Sequence, residues 1–112
     1  MIDLQSIGEI VATYSKHGWL LRRVLLIPDS MTAFSKSPTD AFESVPVHES
    51  KLDAAWFSRP PKTGGVAWEL RYLGSTPFAL VEHADEDSEE FENVLAEVEG
   101  RLMSAIAKKH TA

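Results

Sequence analysis

The chain has no cysteine, which excludes a disulfide framework, a thiolate nucleophile and a cysteine-held iron–sulfur cluster. It has no long apolar run, which excludes a membrane-spanning helix on sequence grounds. Met1 is followed by Ile2-Asp3 and not by a basic stretch and an apolar core, so no signal peptide is expected. The cytoplasm is therefore the expected compartment. A basic surplus is also lacking, which argues against nucleic acid as a partner.

The usual chemical signatures are missing as well. There is no Gly-x-Ser-x-Gly elbow and no Ser-x-x-Lys pair. His17, His48, His83 and His110 are scattered without zinc-ligand spacing, and no metal or other cofactor is expected. Lys62-Thr63-Gly64-Gly65 has the residue types of a phosphate loop in the wrong order, and its glycines precede a strand instead of opening a helix. Ser58 has no histidine near it in sequence. The expectation is a protein that is not an enzyme.

What is present is an ordinary globular composition, 44% hydrophobic and 25% charged over 112 residues, expected to form a single domain over 1–112. A chain of this length buries enough surface to fold without staples. Its net charge of −6 is unevenly placed. Residues 1–81 carry eight acids and eight bases, whereas 82–99 add nine acids and no base. The acidic segment reads as a solvated face that keeps the protein soluble.

Local patterns give an order of elements. Leu4, Ile7, Ile10, Val11 and Tyr14 are spaced as one face of a helix, with Asp3 as N-cap and Gly18 as C-cap. Trp19 to Ile27 is apolar at nearly every position and reads as a strand covered on both faces. Alternation along that strand sends Arg22 and Arg23 to opposite faces. Residues 28–62 hold five of the six prolines; a short helix fits within 30–42, and Val45-Pro46-Val47 fits an edge strand. Ser50 to Asp53 resembles a capping box ahead of either a turn of helix or a strand around Trp56. Val66 to Leu73 and Phe78 to His83 read as a hairpin. With Leu73 opposite Phe78, Arg71 faces Leu80 and Glu69 faces Glu82, and Glu69, Arg71 and Glu82 share one face. Such a carboxylate pair would raise one pKa, but Arg71 beside it favours a structural charge cluster. Asp87-Ser88-Glu89-Glu90 is a second capping box, ahead of an apolar stripe from Phe91 to Ile106.

The fold expected from this order is α+β in two layers. It has a short, mainly antiparallel sheet of three or four strands, with the N- and C-terminal helices packed on one face. In outline it resembles small acidic bacterial chaperones of secreted effectors, a likeness of architecture without a residue motif. That implies a chaperone-like or adaptor role.

The function expected is a small protein-interaction domain, binding another protein or forming a homodimer. Two surfaces stand out. One is Trp56 to Gly65, where Trp56, Arg59 and Lys62 flank a stiff diproline, since Trp and Arg are enriched at binding hot spots. The other is the uncovered hairpin face with Leu73, Phe78 and Leu80, an apolar patch suited to a contact. The alternative expectation is a site for a small anionic ligand, gripped by Arg59 and Arg71 with Arg22 or Arg23, beside Trp56 or Trp68.

Overall fold

The structure is a computed structural model that describes residues 4–36, 42, 45–60, 66–74 and 78–111. Helix α1 spans Leu4–Lys16, strand β1 Leu20–Leu26, helix α2 Pro28–Lys36 and strand β2 Val47–Glu49. Strands β3 (Ala54–Arg59), β4 (Val66–Tyr72) and β5 (Ala79–Ala84) follow, and α3 (Phe91–Thr111) closes the chain. Gly18 ends α1 at φ +87°, a left-handed conformation that suits glycine, and the Gly18 and Trp19 amides close the turn onto Ser15 and Tyr14. Pro28 opens α2, where its missing N–H costs nothing.

The five strands form one mixed sheet in the order β2-β1-β3-β4-β5. Only the β1–β2 pair is parallel, reached by a crossover through α2. The expected α+β class therefore holds, but the sheet is larger and mixed. The extra strand is β3, which became the centre of the sheet where the sequence allowed either helix or strand. Its run Ala54-Ala55-Trp56-Phe57-Ser58 is buried throughout. A strand covered on both faces has no polar alternation to betray it.

Both faces are covered because the terminal helices pack on opposite sides of the sheet, which corrects the expected two-layer arrangement. Leu25, Ala54, Trp56, Trp68 and Leu70 meet Phe91, Leu95, Val98, Leu102 and Ile106 of α3. Val24, Leu26, Ala55 and Phe57 meet Ile7, Ile10 and Tyr14 of α1, with Met31 and Phe34 of α2 alongside. Each buried Leu or Phe contributes about 1.5–3 kcal/mol over an exposed one, so β3 holds the two cores together.

A bulge in β1 changes which face Arg22 takes. Leu21 pairs with Phe57 and Arg23 with Trp56, leaving Arg22 as the extra residue. Arg22 donates to Ser58 Oγ at 3.0 Å and lies 5.0 Å from the Trp68 ring centre, while Arg23 forms a two-pronged bond with Glu92. Both arginines thus lie on the α3 side, not on opposite faces. Simple alternation fails because the bulge consumes one residue.

The hairpin register also differs by one residue. Tyr72 N–H donates to the Phe78 carbonyl, and Arg71 pairs with Ala79, Leu70 with Leu80, Glu69 with Val81 and Trp68 with Glu82. A slip of one sends every side chain of β5 to the other face.

Candidate functional site

The expected site residues separate once they are placed. Trp56 is fully buried in the α3-side core, where its indole N–H donates to Glu99 at 2.8 Å. Leu73 is 6% exposed in the α1-side core. Phe78 and Leu80 pack against the α3-side core instead of sharing an open face with Leu73. The apolar patch they were expected to form is thus dissolved by the register shift. Lys62 lies outside the described residues.

Arg59 and Arg71 do share the α1-side face. Glu69 lies between them, however, and accepts a hydrogen bond from the Tyr14 hydroxyl. Arg59 is exposed and lies 5.9 Å from the Trp19 ring centre; Arg71 turns back to the Tyr72 carbonyl. Arg22 and Arg23 lie on the other face, paired with Glu86 and Glu92. An anionic ligand would thus meet a carboxylate between two cations, with Trp56 and Trp68 on the wrong side of the sheet. The Glu69–Glu82 pair is undone by the same shift: Glu82 faces the α3 side, where Arg101 donates to it. Ser58 is buried, and its hydroxyl partner is the Arg22 guanidinium, which is no general base.

The geometry brings together a different surface. On the α1 side, α1 reaches only to the border of β4, leaving Ala79, Val81 and His83 of β5 exposed. Val81 is 53% exposed, high for a large apolar side chain. Tyr14 marks the border, stacked on Phe57 at 4.1 Å and edge-on to Trp19 at 6.2 Å. Burial first, and then the neighbouring Glu69 carboxylate, raises the pKa of its phenol above the ordinary value. Two shallow clefts flank it. One of about 340 Å³ runs between His17, Trp19, Arg59 and Glu69, and one of about 380 Å³ lies between Glu9, Ile10 and Arg71.

Beside this strip is a free strand edge. The Tyr72–Phe78 bond sets the ladder so that Phe78, Leu80, Glu82 and Ala84 direct their backbone groups to β4. Ala79, Val81 and His83 therefore direct theirs outward, and no strand lies beyond β5 among the described residues. The His83 N–H is taken by the carboxylate of Glu82 at 3.1 Å. The opposite edge, β2, has only three residues and is preceded by Pro46. Tyr14, Glu69 and Val81 were not among the expected site residues. The alternation of β5 held the signal for Val81, but only in the correct register.

Among the described residues no group of three or more His, Asp or Glu side chains is placed to hold a metal ion, and no helix is long and apolar enough to cross a membrane. No family model, curated protein or solved structure matches this chain. The functional reading therefore rests on its own geometry.

Proposed function

We propose that this chain is a non-enzymatic interaction module that docks a protein partner on the open strip and free edge of β5. The observation that carries this reading is Val81, large, apolar and half exposed on a face that α1 leaves uncovered. Single exposed apolar residues are common, and Leu20 is another at 55%. What sets Val81 apart is its setting on a strand that offers backbone donors and acceptors beside it. Strand addition draws affinity from the backbone ladder and specificity from alternate side chains. The polar groups around the strip support the reading, because Tyr14, Glu69 and Arg71 hold one another or the backbone in a fixed border.

The test is site-specific photo-crosslinking in the source cell's lysate, with the reactive residue at His83 and, as control, at Ser35 on the exposed side of α2. A discrete product from position 83 that position 35 does not give is the expected result. Labelling that is equal at the two positions, or no product from 83, would remove the reading.

A further inference from the structure

We infer that the partner is a second copy of this chain, joined antiparallel, β5 to β5, about a twofold axis at Val81, so that two five-stranded sheets become one. This inference rests on the interaction reading above and names its partner. Three observations lead to it.

First, β5 lacks the devices that keep edge strands apart. Its six residues, Ala79 to Ala84, contain no proline, no lysine and no bulge. Its one guard is the Glu82 carboxylate, which covers the His83 N–H but leaves Ala79 and Val81 without a partner among the described residues.

Second, symmetry restricts the register. A twofold axis normal to the sheet keeps the α3 side of both copies on the same side. Residues directly opposite must then come from the same face, so the axis passes through one residue and not between two. At Glu82 the axis would set two carboxylates against each other, which is unfavourable. At Val81 it sets Val81 against Val81, Ala79 against His83 and Leu80 against Glu82, with no like charges opposed. That register leaves only Ala84 unpaired within β5, whereas an axis at Leu80 leaves Glu82, His83 and Ala84 unpaired there.

Third, the register places the most exposed large apolar side chain of β5 against its own copy. The strips of Ala79, Val81 and His83 become continuous across the axis. Both Val81 side chains leave water, and the outward N–H and C=O of each Val81 bond across the axis.

Sedimentation equilibrium across the micromolar range tests the inference, on the wild type, Val81→Pro and Val81→Lys. Because the Val81 N–H points away from β4, proline there removes an intermolecular donor without breaking the β4–β5 ladder. Lysine instead leaves the backbone intact and charges the edge. The wild type is expected at twice the chain mass and both variants at the chain mass, with thermal melting of the variants confirming that they fold. A disulfide-linked dimer should form on oxidation of Val81→Cys and not of Ala79→Cys, in a chain with no other cysteine. A monomeric wild type overturns the inference, and so does a dimer that survives both variants. If the wild type is monomeric but position 83 still crosslinks a different protein, only the identity of the partner fails. If it is monomeric and nothing crosslinks, the interaction reading fails with it.

Discussion

Asp53 shows how one buried side chain organises its surroundings. Its Oδ1 accepts the Ile27 N–H and its Oδ2 the Ser30 hydroxyl, both at 2.9 Å, while its carbonyl accepts the Leu73 N–H. The residue thus ties the start of α2 to β3 and to the chain just past β4. Asp53→Ala leaves a buried donor and hydroxyl unpaired and is expected to cost about 2–4 kcal/mol. That is read as a lower urea midpoint at unchanged slope. The capping box read in Ser50-Lys51-Leu52-Asp53 heads no helix, because strand β3 follows it; Asp53 instead serves the start of α2, which precedes it in the chain. Tyr14 gives a second prediction at this scale. Its phenol holds its proton more tightly folded than unfolded, where the ordinary value is 10.0. The stabilisation is therefore complete below about pH 10 and is lost as pH rises towards the folded value. Melting temperatures followed into alkali should fall more steeply for the wild type than for Tyr14→Phe. Parallel curves would show that burial of the phenol beside Glu69 has no such effect.

Among the elements, α1, β4, β5 and α3 were legible from periodicity and β1 from its continuous apolar run. The short helix expected within 30–42 begins two residues earlier, at Pro28, which reads in the sequence only as the end of the strand before it. What failed was counting. The bulge at Arg22 and the one-residue shift between β4 and β5 both invert a parity rule, and parity decides the face of every side chain beyond them. Nothing local records either shift: tertiary packing chose the register that places Leu80 with the α3-side core and Leu73 with the α1-side core. The start of α3 shows a smaller override. Ser88 accepts the Glu90 N–H within a turn, and the helix begins at Phe91. The Arg23–Glu92 bond joins β1 to α3; Arg23 takes that side by plain alternation with Leu25, and it is Arg22 that the bulge brings to the same face. Its hydrogen bonds to Arg23 hold the Glu92 carboxyl below the usual carboxylate range, although burial opposes the shift. The contribution is then present above the unfolded carboxylate value and lost as pH falls through the folded one. Glu92 is 68% exposed, so Arg23→Met should cost no more than about 1 kcal/mol at neutral pH. The difference from wild type should vanish in acid, as measured by urea unfolding at several pH values.

Across the whole molecule the charge asymmetry acquires a location. Residues 82–99 hold nine acids, and the fold lays them along the end of β5, the following turn and the first half of α3, next to the free edge. Glu82, Glu86 and Glu92 are paired with Arg101, Arg22 and Arg23, and Glu99 holds the Trp56 indole. Asp85, Asp87, Glu89, Glu90 and Glu97 remain exposed. Joining two copies at β5 brings two such segments together, so long-range repulsion opposes the dimer while the backbone ladder and Val81 favour it. Screening shortens that repulsion from about 30 Å at 0.01 M salt to about 8 Å at 0.15 M. Added salt should therefore tighten the dimer, its dissociation constant falling several-fold between these conditions in sedimentation equilibrium. A basic partner docking on the same strip would show the opposite sign, because salt weakens attraction between unlike charges. The slope separates the two partners before either is identified by mass, and an affinity that weakens with salt would count against a second copy as the occupant of β5.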